Sequence, residues 1–414
     1  MNARFSSQGL SAVSPELEAL VIGRKESLFE ADRARYADAL REQVAGKRIL
    51  VVGGGGSIGS STVGFLTELS PAALHVVDLS ENYLAELVRD LRGQPGGLPV
   101  SDFRTLPLDY GSSIMERFLA ESAPYDCVLN FAALKHVRSE KDVFSLLQML
   151  DTNVVKHIRF KRWLEKYGHG ARYFAVSTDK AANPSSLMGA SKRLMEDVVF
   201  DVSLPTGGSA TSARFANVAF SNGSLLQGFL FRLSKNQPLA VPRDTRRYFV
   251  SQAEAGEICL LTSLVGPAEH VLFPSFDPAT SLILLEQVAI EVLRFAGFEP
   301  EFFEDEAAAR RAVAGAAACG RWPVLVTALD TSGEKPYEEF VAHGEEAVDV
   351  GFGALNGIAH APGCAESRQL YDRLSDCIGD PARTLTKADL VSWIAEAVPG
   401  FQHQETGRDL DQRL

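Results

Sequence analysis

Short, mostly apolar runs alternate with helical patterns through the middle of this chain. Arg48–Val52, Leu74–Asp78, Asp126–Phe131, Tyr173–Ser177 and Ser212–Phe220 have the length and β-branched content of buried strands. Helical segments between them predict βαβ units, and therefore an α/β fold of the Rossmann type, a doubly wound parallel sheet with helices on both faces. Residues 1–45 read as a helical extension in which Ser14 can cap, Pro15 suits the first helical turn, Gly23 can end that helix, and Arg33–Val44 form another. That extension is packing or oligomerisation material rather than chemistry.

After Phe220 the rhythm loosens. Gln237–Tyr248 reads as a Pro- and Arg-rich loop, Glu301–Gly320 as an Ala-rich helix and Pro323–Leu329 as one more strand. The division that follows is a helical extension over 1–45, a dinucleotide-binding domain over 46–220, mainly a smaller α/β substrate-binding cap over 221–350, and a polar extension over 351–414 with a helix at Lys387–Val398.

Composition narrows the possible functions. With 414 residues, 46% of them hydrophobic, the chain can bury a large core, which excludes disorder as its main state. A net charge of −12 repels nucleic-acid phosphates, so DNA and RNA are not expected partners. Five scattered cysteines, Cys127, Cys259, Cys319, Cys364 and Cys377, form no C-x-x-C pair and point to a reducing, cytoplasmic setting without structural zinc. No apolar run reaches the ~18 residues of a membrane span, and Met1–Leu10 lacks the order of a signal peptide.

The first strand runs into Gly53-Gly54-Gly55-Gly56-Ser57-Ile58-Gly59, and a helical pattern follows. Backbone amides at such a turn point at an anion. Gly53 would allow the tight turn, Gly56 the approach of a pyrophosphate and Gly59 close packing of helix on strand, with Ser57 and Ile58 at the helix start. Asp78, at the end of the next strand, can accept from ribose hydroxyls, which favours NAD over NADP. Asp109 can reach the adenine or stand as a solvated loop carboxylate.

The strand at Tyr173 ends in Ser177-Thr178-Asp179-Lys180, a Pro-containing loop follows, and a helix opens near Met188 with Lys192 one turn on. Polar residues at the carboxyl ends of parallel strands face the ligand crevice. Either these side chains act on a ligand or Asp179 and Lys180 form a plain loop ion pair.

Gly53–Ser60, Asp78–Glu81, Ala132-Ala133-Leu134-Lys135-His136-Val137, Thr152-Asn153-Val154, Ser177–Pro184, Met188–Lys192, Arg214–Val218, Arg247-Tyr248-Phe249 and Gly333-Glu334-Lys335 occur in one order. In that order they resemble the extended short-chain dehydrogenase/reductases typified by UDP-N-acetylglucosamine 4,6-dehydratases, over roughly residues 21–340. The resemblance implies a redox-neutral reaction on a UDP-sugar. NAD takes hydride from C4, water leaves across C5 and C6, and hydride returns to C6.

It further implies Lys180 as the base at C5, Asp179 as the acid at C6, Thr178 beside them, Lys192 on the cofactor ribose, and Ala132 and Ala133 over the cofactor. Lys135, Asn217, Ser221, Gly223, Ser224 and Arg247 fall on the substrate side, where an Arg fork suits a diphosphate. Relatives form dimers and larger rings, so a homo-oligomer is expected. One departure stands out: Met188 occupies the position where most of the class has Tyr, and a thioether cannot accept a proton.

Three features have structural readings. His136 reads as a hydrogen-bonded core residue and no metal site is expected, because no ligand spacing recurs. Arg246 can be simply solvated, and Glu338 and Glu339 can be a solvated helix face. Two alternatives to the dehydratase follow from the same residues, a nucleotide-sugar 4-epimerase or C4 oxidoreductase, and a non-catalytic nucleotide-sugar-binding homologue that lost the Tyr.

Overall fold

The computed structural model describes residues 13–135, 140, 142–201, 209–328, 337–360, 365–380, 382–401 and 403. The strands are β1 Arg48–Val52, β2 Ala73–Val77, β3 Asp102–Leu106, β4 Cys127–Asn130, β5 Arg172–Val176, β6 Ser209–Ala213, β7 Asn217–Val218 and β8 Leu239–Pro242. They continue as β9 Arg246–Arg247, β10 Phe249–Val250, β11 His270–Pro274, β12 Ile283–Leu284, β13 Glu299–Phe303, β14 Arg321–Thr327, β15 Ala347–Asp349 and β16 Leu355–Ala359. The large sheet has the order β15-β16-β11-β6-β5-β4-β1-β2-β3. It is parallel from β3 to β11; β16 runs antiparallel to β11, and β15, antiparallel to β16, runs in the direction of the others.

The expected doubly wound fold is present. Strand order reverses between β1 and β4, and ligands bind outside the carboxyl ends of strands at such a switch point. β1 falls where its apolar run predicts, while β2, β4 and β5 match within about a residue, the ordinary scatter of strand ends.

Other expectations need correction. The run expected as one strand from Ser212 to Phe220 is broken: β6 ends at Ala213, and Asn217 and Val218 pair instead with β10 in a separate ribbon. Arg214 still donates its amide to the Leu272 carbonyl at 2.8 Å, and its side chain enters a buried ion cluster. Gln237–Tyr248 is not all loop, since β8 joins β14 and β13 in a three-stranded sheet and β9 pairs with β12. The expected helix from Glu301 starts only at Glu306, after the Asp305 cap, because the preceding residues form β13. Arg33–Val44 is likewise interrupted at Tyr36.

The segment 221–350 divides between the two layers. The helices Leu225–Ser234, Leu285–Phe295 and Glu306–Cys319 pack with the three-stranded sheet in a core of Phe229, Leu239, Val288, Val292, Trp322 and Val324. The helix Pro15–Ile22, capped by Ser14 and ended by Gly23 as expected, adds Leu17 and Val21 to that core. The helix Gln252–Val265 and strand β11 instead return to the large sheet, where Ile258, Leu261 and Leu272 join its main core.

The C-terminal extension is helical and packed. The helices Ala365–Gly379 and Lys387–Ala397 place Leu370, Leu374, Leu390 and Ile394 against Leu146, Leu150, Met188 and Leu194. Ile394→Ala is expected to cost about 2–5 kcal/mol of unfolding free energy. Urea denaturation measures it, and a loss below about 1 kcal/mol would mean that these helices stand outside the cooperative core.

Candidate active site

The glycine turn is shaped by contact as well as by freedom of rotation. Gly53 has φ +72°, and a Cβ there would lie 2.6 Å from the Ala132 nitrogen. A Cβ at Gly59 would lie 2.4 Å from the Gly53 carbonyl oxygen, so this glycine lets the helix Ser57–Glu68 sit on the turn. Gly56 differs. Its nearest neighbour, the Gly53 carbonyl oxygen, would be at an ordinary 3.5 Å, so nothing among the described residues requires glycine there.

Most helices here start with a side chain on their free amides, as Ser80, Ser112, Asp142, Ser186, Ser224 and Ser251 do. The helix after Gly56 has no side-chain cap. Its first amides stay available to an anion in the field of the helix N-terminus. The Ser57 hydroxyl accepts from the Asn222 amide at 3.0 Å and ties the turn to the loop after β7.

Asp78 grips this turn. One carboxylate oxygen accepts from the Gly55 amide at 3.0 Å and the other from the Ser80 amide at 2.9 Å. A 2′-phosphate would meet that negative charge. Asp109 is taken up by Lys156 at 2.6 Å and is not a freely solvated carboxylate. The loop after β4 is fixed twice: the Ala132 amide donates to Asn130 at 2.9 Å, and Asn153 holds both the amide and the carbonyl of Leu134. Asn153 can do so because the helix around it widens to π geometry over Asp151–Val155.

At the carboxyl end of β5, Asp179 is buried. It accepts from the Thr178 hydroxyl at 2.6 Å, and the Lys180 ammonium stands 3.3 Å from both its oxygens. The Lys180 side chain is 42% exposed. Partial burial pulls its pKa down, but the carboxylates of Asp179 and Glu338 outweigh that, and the net shift is upward. Lys135 shifts down through desolvation and the Lys180 charge.

The residue that sequence reasoning misplaced is Glu338. Residues 337–346 form no helix, and Glu338 is 8% exposed. Its carboxylate accepts from the Asn217 side-chain amide and from the Tyr248 backbone amide at 2.9 Å, with Arg247 Nε at 3.5 Å. Burial pushes its pKa up to about 7, Asp179 adds to the rise, and Lys180 and Arg247 oppose it. Glu339 is also engaged, through Asn183. The only hint in the sequence was that this acid pair follows the Gly333-Glu334-Lys335 motif, which lies outside the described residues, as do His136 and Cys364.

Arg214 delivers Glu338 to the site. Wholly buried, it donates to both oxygens of Glu196, to both of Glu345 and to the Phe340 carbonyl. Glu196 also accepts from Ser177, and Arg193 joins Glu345. The segment that carries Glu338 is thereby bolted to β6 and to the helix Leu187–Phe200.

Other expected residues have partners within the folded chain. Met188 is buried in the apolar cluster of the C-terminal helices, and its amide donates to Glu140 at 2.9 Å. Lys192 is buried and donates to the Val176 carbonyl at 2.7 Å, and desolvation pushes its pKa down to about 7. Ser224 caps the helix Leu225–Ser234, so its hydroxyl is committed there. Ser221 and Gly223 form the loop before that cap, with Gly223 at φ +73°.

A doubly wound sheet with a phosphate-type turn after β1, and with its polar triplet at the end of β5, defines a protein of the Rossmann-type α/β fold. More narrowly, the chain belongs to the family described as polysaccharide biosynthesis protein, whose model matches residues 49–355.

Among curated relatives, the chain is 28% identical to a protein named uncharacterized membrane protein MJ1061 from Methanocaldococcus jannaschii, over 72% of this chain and 81% of that one. It is 27% identical to an inverting UDP-N-acetylglucosamine 4,6-dehydratase from Campylobacter jejuni, over 50% of this chain and 60% of that one. Two further curated polysaccharide-biosynthesis relatives are matched over 54% and 45% of their own length.

Among solved structures, Pen from Bacillus thuringiensis superposes with a TM-score of 0.61 at 18% identity, over 80% of this chain and 98% of that one. The Bordetella bronchiseptica enzyme WbmF, in complex with NAD+ and UDP, gives 0.50 at 17%, over 61% and 78%. Both show the fold alone. Among the described residues, no helix is long and apolar enough to cross a membrane.

The ion cluster gives a pH prediction. Burial pushes the Glu345 carboxyl up, but Arg214, the Ala342 amide and Arg193 outweigh that and bring it down from 4.5 to about 2. A depressed carboxyl stabilises the fold fully above its unfolded value and loses that contribution as pH falls through its folded one. Acid unfolding of Glu345→Gln should therefore depend less on pH than the wild type between about 4.5 and about 2. Equal slopes would show that the pair contributes nothing.

Proposed function

We propose that this protein is an NAD-dependent nucleotide-sugar 4,6-dehydratase that converts a UDP-N-acetylhexosamine, UDP-N-acetylglucosamine foremost, to its 4-keto-6-deoxy form. The observation that carries the reading is the meeting of Asp179, Lys180, Arg247 and Glu338 at the carboxyl end of β5, one strand beyond the strand that abuts the glycine turn. The similarity to a named 4,6-dehydratase agrees with it.

The dinucleotide would be held by the amides at Ser57 and Ile58, the open face of Gly56, Asp78 at the adenosine ribose, and Ala132 and Ala133 along the β4 loop. Lys192 would take the other ribose. When bound, the nicotinamide supplies a reversible oxidation at C4. Everything else falls to side chains of this chain.

A C4 carbonyl acidifies the C5 hydrogen, so the site needs a base there and a proton donor at the C6 hydroxyl. Lys180 is assigned to the first role and Asp179 to the second. Lys180 rests charged, so it must hand its proton to a neighbouring carboxylate before it can act. Arg247 and Lys135 add positive charge for the diphosphate, with Asn217, Ser221, Gly223 and Ser224 along the sugar-nucleotide side.

The buried Met188 favours one second reading, a protein that binds NAD and a UDP-sugar without turning it over. Incubation with UDP-N-acetylglucosamine in deuterated water separates the two. NMR should show loss of the C6 hydroxyl, with deuterium at C5, and Lys180→Ala should abolish both while NAD stays bound. Bound NAD with an unchanged sugar would favour the second reading, and product without C5 exchange would point to chemistry confined to C4.

The turn has its own test. Gly56→Ala should leave unfolding within about 0.5 kcal/mol of wild type yet weaken NAD binding at least ~10-fold by calorimetry. Unchanged affinity would remove the pyrophosphate from this turn.

A further inference from the structure

We propose that His157 is a positioning residue of the dinucleotide site, closing a buried hydrogen-bond circuit through Tyr173 and Asn130 that holds the loop Ala132–Leu134 against the glycine turn. The circuit is a property of the folded chain, whereas its effect on a cofactor rests on the reading of that turn as the NAD site.

His157, on the helix Lys156–Lys166, is 1% exposed, Asn130 2%, and Tyr173 is wholly buried. Tyr173 lies on the same face of the sheet as Ala175, the register partner of Asn130, so β4 and β5 bring the phenol beside the amide. It belongs to an apolar cluster with Phe160, Leu164 and Met195. Burying polar groups in such surroundings costs free energy unless each is paired.

Each donor in the circuit has one direction. The Ala132 amide donates to Asn130 Oδ1 at 2.9 Å, which turns Asn130 Nδ2 to donate to the Tyr173 oxygen at 3.2 Å. The Tyr173 hydroxyl then gives its own proton to His157 Nε2 at 2.5 Å. Nε2 is therefore an acceptor, the imidazole is neutral with its proton on Nδ1, and that proton goes to the Asn153 carbonyl. Burial and the charges of Lys161 and Lys192 hold the ring well below the usual histidine range. The Asn153 side chain closes the circuit, since it takes the Leu134 amide at 2.8 Å and donates to the Leu134 carbonyl at 2.9 Å, two residues beyond Ala132.

The turn leaves this loop no slack. A Cβ at Gly53 would lie 2.6 Å from the Ala132 nitrogen and 2.7 Å from the Phe131 carbonyl carbon, so loop and turn meet backbone to backbone. A loop that drifts alters two walls of the crevice at once, the turn assigned to the pyrophosphate and the Ala132–Ala133 backbone assigned to the dinucleotide. His157 acts on both through Tyr173, Asn130 and Asn153.

The test has two arms on the full chain. Nitrogen-15 NMR without dinucleotide, with His157 assigned by its loss in His157→Gln, should show a neutral ring protonated on Nδ1 with Nε2 hydrogen-bonded. In Tyr173→Phe the Nε2 signal should move to that of an unbonded imidazole nitrogen, and exchange of the Ala132 amide should quicken roughly 5-fold or more. An imidazolium or the Nε2–H tautomer in the wild type, or unchanged Ala132 exchange in Tyr173→Phe, overturns the proposal.

The second arm is calorimetry with NAD and, separately, with UDP. Tyr173→Phe and His157→Leu should each weaken NAD binding roughly 3- to 30-fold and leave UDP binding as in the wild type. The double variant should lose little more than either single one, because both break the same circuit. His157→Gln, which can accept from Tyr173 and donate to Asn153, should restore most of the affinity. Unchanged NAD affinity, fully additive losses, or an equal loss for UDP overturns the proposal. Circular dichroism checks folding, and should His157→Leu not fold, Tyr173→Phe and His157→Gln decide the matter. A wild type that binds no NAD, with the NMR and exchange results intact, would instead defeat the cofactor reading and leave the circuit standing.

Discussion

Arg214 is buried without exposure, and all five of its N–H donors have acceptors, two in Glu196, two in Glu345 and one in the Phe340 carbonyl. Removing such a charge from water costs several kcal/mol, and only complete pairing offsets the cost. With Arg193 on Glu345, two cations face two carboxylates, and the cluster is neutral. Its contribution to net stability is correspondingly small. What it supplies is position: it admits one arrangement of β6, the helix Leu187–Phe200 and residues 338–345. Any other arrangement would leave a buried charge alone.

Position there determines the electrostatics of the site. Asp179 and Glu338 stand among three basic side chains, Lys180, Lys135 and Arg247, in a chain whose total charge is −12. Basic side chains gathered in a crevice would favour the diphosphate of the proposed substrate, which an acidic surface elsewhere would repel. Burial raises Glu338, while the carboxylates of Asp179 and Glu338, against burial, raise Lys180.

The glycine turn and the β5 triplet were legible in the sequence because both are local. A strand, a turn and a helix start lie within a dozen residues, and spacing alone sets their geometry. Strands β7, β9, β10 and β12 were not, since two-residue pairings leave no periodicity to detect. Glu338 was misread for a different reason. An acid pair in a polar stretch resembles a solvated face, and only distant segments, through Asn217, Tyr248, Arg247 and Arg214, bury it. Asp109 fails in the same manner, because its partner Lys156 lies on a helix three elements away.

Position 188 and the C-terminal helices express one constraint. A tyrosine there would bring a hydroxyl that needs a hydrogen-bond partner once buried. Met188 belongs to an apolar cluster with Leu146, Leu150, Leu187, Leu390 and Ile394. Methionine fills such an irregular apolar space without a polar penalty. Glu140 meanwhile accepts the Met188 amide and holds the first turn of the helix in place. The extension that packs on this helix therefore goes with a residue unable to take a proton, and in the proposed reaction proton transfer would fall to the groups at the end of β5, Asp179 and Lys180.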